Sequence, residues 1–417
     1  MTAFQIIALL LTFAGLGAYI NNRFLKLPAT IGLMVFALLI SLSAVGLNKL
    51  GLVNLNAASL LIGQIDFSDI LLHGMLSFLL FAGAMHIDLS ELKKRRAIVG
   101  ILATVGVVIA TFVTGSLVWV AAKGLGFTFP YIYALLFGAL IAPTDPVAVL
   151  GILKETSMSK IFRVKIGSES LFNDGVGVVL FVLFLEIAAN PHISSSAVQD
   201  IILLLIWSGV GSVILGLTLG WITYQFLSGI DDYKVETLLT LALAAGGYSL
   251  AEIVHVSAPI TMVVAGLVIG NHGEIFGISH KRRRHLDMFW ELLDEILNAV
   301  LFMLIGLEMM VIPISALHLA IGLAAILAML VGRFISVAIP IYLMNFKYRF
   351  ERGTIPLLTW GGLRGGISIA LALSLPTGPE KDFILGMTYI VVVFSVLFQG
   401  TTFRHVAKAI IGKKEGK

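Results

Sequence analysis

The chain has 417 residues, of which 58% are hydrophobic and only 12% charged. A soluble domain carries about 25% charged residues, so a water-soluble enzyme or binding module is excluded and a polytopic membrane protein is indicated. Cysteine is absent, which rules out disulfides, thiol catalysis and cysteine-ligated metals, and the net charge of +4 must be read from where the basic residues fall.

A window of about 19 residues picks out thirteen apolar segments. They lie near 3–20, 29–47, 69–87, 98–121, 131–152, 166–188, 201–227, 236–254, 258–271, 286–311, 315–344, 353–375 and 384–406. The first has no basic stretch ahead of it and no small-residue cleavage site, so it reads as a retained span. The ninth is short, and the eleventh is expected to tilt or kink at Pro340. No connecting stretch is long enough for a second folded domain, so residues 1–417 form a single transmembrane unit.

The loops test this count. One alternating set holds Arg23, Lys26, Lys93, Lys94, Arg95, Arg96, Lys154, Lys160, Arg163, Lys165 and Lys234. The run KRRR at 281–284 follows, then Lys347, Arg349, Arg352 and the tail residues Arg404, Lys408, Lys413, Lys414 and Lys417. The other set holds only Lys49, Lys123 and Lys381, a ratio of 23 to 3. Such an asymmetry places the C-terminus in the cytoplasm and, with an odd number of spans, the N-terminus outside. The basic excess is thus a topology signal and gives no support for nucleic-acid binding.

Polar residues inside spans are costly and need a role. The fifth segment carries Pro143-Thr144-Asp145-Pro146, two prolines around a carboxylate. Each proline removes a backbone donor and disfavours helix at the residue before it. The span is therefore expected to unwind near Thr144, which is tolerated only within protein or beside a water-filled cavity. The twelfth segment has a matching interruption, with Gly361, Gly362, Gly365 and Gly366 around Arg364. Segments five and twelve are seven apart, an odd offset, so they fit two inverted repeats with unwound crossing helices and a substrate site near the midplane.

The sixth segment brings carboxylates to the same depth. In GSESLFNDGVGVVLF, Ser170 and Asp174 are four apart and share a helix face, as do Glu169 and Asn173. A hydroxyl and a carboxylate, with carbonyls freed near Thr144 and a water held by Asp145, suit a small hard cation. Glu169 needs a cationic partner, and Arg333 in the eleventh segment is the natural one. At the start of the tenth segment Asp287, Glu291, Asp294 and Glu295 form a stripe with Asn298. That stripe either lines an acidic funnel for cations or pairs with the basic run just upstream.

APTDPVAV, then SESLFNDGVGVVLF, then GLRGGISIALALSLP, in this order, resemble the monovalent cation/proton antiporter-1 family, the bacterial and archaeal sodium/proton exchangers. The resemblance covers nearly the whole chain, including LPATIGLMVFALLIS and FWELLDEILNAVLFMLIGLEM. It implies an all-α fold of about thirteen spans, a homodimer in the plasma membrane, and an ion-translocating bundle built around 98–188 and 315–406. The rest, including 1–47 and 201–271, would serve dimerisation and scaffolding. It further implies Asp174 as the shared ion and proton site, Asn173 holding the unwound helix through Thr144, Ser170 and Asp145 completing the site, and a structural Glu169–Arg333 pair. Na⁺ would be held by Asp174, Ser170, the Thr144 backbone and Asp145, and no cofactor is called for. Family members with Asp-Asp at 173–174 are associated with electrogenic exchange, so Asn173-Asp174 implies one H⁺ per Na⁺. One departure stands out: many members carry a glutamate in the third span where this chain has Ala82. The preference among Na⁺, Li⁺ and K⁺ is therefore not carried over. His86, at the end of that span, is a candidate pH sensor or a headgroup-level residue.

The mechanism expected from these residues is competition. A desolvated Asp174 binds either a proton or a cation; the neutral loaded bundle crosses the barrier and the charged empty one does not. The alternatives are a K⁺/H⁺ antiporter of the same fold, a cation channel and an intramembrane aspartyl protease. The protease reading wants glycines before the aspartate, whereas here they follow it in NDGVG, and neither HExxH nor GxSxG is present.

Overall fold

A computed structural model describes residues 3–52, 67–145, 149, 160–189, 195–271, 280–310, 316–346, 348, 350–351 and 353–411. Pro146, Lys154, Lys347, Arg349, Arg352 and the tail lysines from Lys413 onward lie outside these residues, as do the side chains of Lys160, Arg163, Lys165 and the basic run at 281–283. Among the described residues the fold is all helical, and the one isolated β-bridge pairs Asp145 with Leu363.

The helices in chain order are α1 (Ala3–Ile20, continued by a wide turn to Leu25), α2 (Ala29–Lys49), α3 (Phe67–Met85), α4 (Leu89–Gly124), α5 (Tyr131–Ile141), α6 (Lys160–Ala189) and α7 (Ser195–Ser228). Then come α8 (Tyr233–Ile253), α9 (Ala258–Gly270), α10 (His280–Glu308), α11 (Ala316–Met344), α12 (Thr354–Trp360), α13 (Gly366–Leu373) and α14 (Pro379–Ile410). Eight of them are long and apolar enough to cross a membrane, and α5 and α9 are shorter apolar helices. The chain is a multi-pass membrane protein.

Several helices overrun the apolar windows. The window at 98–121 belongs to a helix that begins at Leu89, because Asp88 caps it: the Asp88 carboxylate accepts from the amides of Ser90 (3.0 Å) and Glu91 (3.1 Å). Its first two turns are charged and reach beyond the apolar stretch. Helix α11 runs through Pro340 as one element. The predicted fifth and twelfth spans, by contrast, are not continuous: α5 stops at Ile141, and the twelfth is divided into α12 and α13.

Close helix contacts set the core around these interruptions. A Cβ on Gly138 of α5 would lie 2.2 Å from the Thr111 carbonyl oxygen of α4, so only glycine allows this approach. Helix α11 packs on α4 and α14, and α6 on α5. A second assembly joins α3, α7, α8 and α9, where Trp290 of α10 sits against Phe81 and donates to Thr240 Oγ1 at 3.0 Å. Ala82 is buried here with Phe81, Met85, Leu227 and Trp290.

Candidate ion-binding site

The two interruptions meet. The Asp145 amide donates to the Leu363 carbonyl at 2.8 Å, an antiparallel pairing of two short extended stretches. Position 146 is a proline with no amide, so the Ala142 carbonyl lacks its helical donor. Arg364 supplies the replacement: its Nη1 donates to the carbonyls of Ala142 (2.7 Å) and Pro143 (2.8 Å). The guanidinium, 1% exposed, thus sits at the carbonyl end of α5, where the helix dipole favours a cation. Asp145 is placed in the reciprocal way. A Cβ on Gly365 would come 2.1 Å from its Oδ2, so the carboxylate lies against the N-cap glycine of α13, at the end where a dipole favours an anion.

Helix α6 holds the fifth-span break from the other side. The Thr144 amide donates to Asn173 Oδ1 at 3.2 Å, and Asn173 Nδ2 donates to Thr144 Oγ1 at 2.8 Å. The hydroxyls of Thr144 and Ser170 share a hydrogen bond of 2.9 Å. Asn173 thereby takes both a donor and an acceptor from one unwound residue, which a carboxylate at 173 could not do while ionised. Pro143 packs on the same helix, with its Cγ 2.1 Å from where a Cβ on Gly177 would stand.

Arg333 of α11 donates from Nη1 to Glu169 Oε1 at 2.6 Å and from Nε to the Leu358 carbonyl at 3.2 Å. Both members are buried, so the pair ties α6, α11 and α12 together at one point. Asp174, 6% exposed, lies within electrostatic reach of Asp145 and Arg364. The structure therefore gathers Thr144, Asp145, Glu169, Ser170, Asn173, Asp174, Arg333, Gly361, Arg364 and Gly365 around the crossing.

A cavity of about 670 Å³ leads to this crossing. Asp145, Asp174, Gly365 and Ser368 are in its wall, as are Glu291, Asp294, Glu295 and Asn298 of α10. Asp287 is not among the lining residues, and the side chains at 281–283, which the pairing reading of the acidic stripe calls for, lie outside the described residues. His86 is exposed, also lines the cavity, and its Nδ1 is 2.7 Å from the Ala82 carbonyl. Ala82 itself belongs to the apolar cluster around Trp290, while Leu79, Leu80 and Gly83 of the same helix face the cavity. At the other end of α3 Ser68 Oγ donates to the Ala370 carbonyl of α13 at 3.1 Å.

Two side chains at the crossing were not singled out by the sequence. Ser395 Oγ accepts from the Arg364 amide at 2.9 Å, and Gln399 Oε1 accepts from Ser395 Oγ at 2.8 Å. A serine and a glutamine four apart in the stretch VVVFSVLFQG were the available signal.

A family profile described as "Sodium/hydrogen exchanger, transmembrane" matches residues 8–409. The chain belongs to that family. It is a transporter and not an enzyme. Among its relatives, the Na⁺/H⁺ antiporter NhaP of Pseudomonas aeruginosa is 48% identical over 415 residues, covering 97% of the exchanger and 96% of that protein. The Na⁺/H⁺ antiporter NhaH of Halobacillus dabanensis is 32% identical over 390 residues, 93% of each chain. In fold the exchanger is similar to the sodium proton antiporter MjNhaP1 of Methanocaldococcus jannaschii at pH 8, with a TM-score of 0.71 at 21% identity, covering 98% of the exchanger and 99% of that chain.

Proposed function

We propose that the exchanger carries Na⁺ against H⁺, one for one, by alternating access, with Asp174 as the site both ions share. The observation that carries this reading is the crossing itself. Two acids, Asp145 and Asp174, stand in a cavity wall where two interrupted helices clasp each other. Asp145, Glu169 and Asp174 against Arg333 and Arg364 leave a formal charge of −1 when every carboxylate is ionised. One monovalent cation or one proton neutralises that cluster, and a neutral cluster is what can traverse a low-dielectric barrier.

Ser170, the Thr144 backbone and Asp145, in part through water, complete the Na⁺ coordination around Asp174, while Glu169 and Arg333 remain a structural pair. Li⁺ is the next candidate substrate, and K⁺ defines the alternative antiporter of the same fold. The bundle around 98–188 and 315–406 moves against a scaffold that includes 1–47 and 201–271. The homodimer is proposed to form through the exposed apolar surface of α7, which includes Trp207, Ile214 and Trp221. The protein sits in the plasma membrane with its C-terminus and the acidic cavity mouth facing the cytoplasm.

The test is flux in proteoliposomes clamped with K⁺ and valinomycin. Na⁺-driven proton movement should be indifferent to the sign of the membrane potential, and Asp174→Asn should abolish it in a protein that still folds. An inside-negative potential that drives Na⁺ out against its gradient would require a second proton, and proton-coupled transport by Asp174→Asn would end the assignment. Jumps of Na⁺, Li⁺ and K⁺ in the same vesicles rank the substrates.

A further inference from the structure

In an unbroken helix the amide of residue 364 would donate to the carbonyl of residue 360, four residues earlier. The structure spends these two groups elsewhere, on one pair of side chains. The Arg364 amide donates to Ser395 Oγ at 2.9 Å; Ser395 Oγ donates to Gln399 Oε1 at 2.8 Å; Gln399 Nε2 donates to the Trp360 carbonyl at 3.4 Å. The relay runs in one direction, from amide to hydroxyl to carboxamide to carbonyl. Its two ends are the groups that the missing helical bond would join, and both side chains are fully buried.

We infer that Ser395 and Gln399 are positioning residues for transport, holding the twelfth span open by occupying the two ends of its absent Arg364–Trp360 hydrogen bond. Glycines at 361, 362, 365 and 366 permit the break but do not enforce it, since glycine is tolerated in helices at modest cost. An unwound backbone inside a membrane protein persists only while its polar groups are satisfied. Ser395 and Gln399 provide that satisfaction from a wide π-helical turn, Ser395–Gly400, in an otherwise regular α14. If the relay is removed, the segment gains by rewinding. Arg364 then withdraws from the carbonyls of Ala142 and Pro143, Leu363 releases the Asp145 amide, and the oxygens proposed to meet Na⁺ lose their placement.

This inference rests on the reading of Asp174 and its neighbours as the cation site, so Asp174→Asn is assayed in the same series. Full-length exchanger carrying Ser395→Ala, Gln399→Met or both is reconstituted, and exchange is measured against Na⁺ concentration at fixed pH. Each single variant should raise the KM for Na⁺ by about tenfold, the scale of one lost buried hydrogen bond, with the maximal rate held within about twofold. Because Ser395 and Gln399 act as one chain of hydrogen bonds, the effect of the double variant should fall short of the product of the two single effects. An unchanged KM in folded variants overturns the inference, and so do KM effects that multiply in the double variant. Variants that cannot be purified folded would assign both residues to stability alone and overturn it too. Exchange retained by Asp174→Asn would remove the site reading and this inference together, whereas a dead Asp174→Asn with unchanged KM at 395 and 399 removes only the inference.

Discussion

The break in the fifth span is written in proline and the break between α12 and α13 in glycine, and different neighbours hold them. Two prolines within one turn remove two helical hydrogen bonds, where the single Pro340 leaves α11 unbroken, so the fifth span is interrupted by its own sequence and Asn173 and Ser170 of α6 satisfy what is left over. Glycine merely allows an interruption. Its break depends on groups supplied from outside: Ser395 and Gln399 from α14, and close contact with Asp145 and Arg333. The fifth-span break is thus covalently determined and the other is environmentally determined. Changes around the glycine side should do more damage than changes to the prolines themselves.

The largest effect belongs to the pair that touches both sides. Glu169 stands on α6, and Arg333 reaches the Leu358 carbonyl of α12. Glu169→Ala should lower stability by about 3–5 kcal/mol, because it leaves a buried guanidinium without its counter-charge. Thermal unfolding in detergent measures this, and Arg333→Ala added to Glu169→Ala should restore part of the loss. Strictly additive losses would show that the two breaks are not joined through this pair.

Next comes Gly365→Ala. Its methyl group would stand 2.1 Å from Asp145 Oδ2 and 2.7 Å from Asp145 Cβ, so the crossing must shift. A displacement on that scale should slow exchange about a hundredfold, measured in proteoliposomes with the protein still folded. Wild-type rates would mean that the glycine side tolerates movement and that the contrast between the breaks is mistaken.

Pro143→Ala should have the smallest effect. The proline at 146 still deprives Ala142 of a donor, Asn173 still holds Thr144, and Arg364 still holds the carbonyls of residues 142 and 143. Exchange should remain within about threefold of the parent, with a stability loss of about 1 kcal/mol from the lost packing on α6. A loss as large as that of Gly365→Ala would show that proline and glycine contribute alike.

Most of this architecture was legible in the sequence, for identifiable reasons. Apolar length marked the helices because a bilayer sets that length, and the charge asymmetry made their order checkable. Helix ends were less legible: α4 starts at Asp88's cap rather than where the apolar residues begin, since capping is local chemistry that hydropathy does not register. Pro143, Thr144 and Asp145 announced a break, and Ser170, Asn173 and Asp174 shared a segment, so their proximity needed only helical periodicity. What could not be read was the pairing of Arg364 with carbonyls 222 and 221 residues away, nor Ser395 reaching the Arg364 amide. Those contacts depend on how helices distant in sequence are laid against one another. A polar pair in an apolar span shows that something is being held, and not what.

The charge count at the crossing also has a consequence for valence. In the proposed cycle, a monovalent ion at Asp174 brings the surrounding groups to neutrality. Ca²⁺ or Mg²⁺ in the same place would leave a surplus of one positive charge beside the buried Arg364. Such a surplus at membrane depth is disfavoured by a few kcal/mol or more, and Mg²⁺ in addition gives up its water reluctantly. A divalent ion drawn in by the acidic wall of α10 could dwell at the mouth, but it could not complete the crossing. In the proposed cycle Arg364 would therefore do more than cap a helix: with Arg333 it would set a charge arithmetic that disfavours doubly charged ions without a filter built to their size.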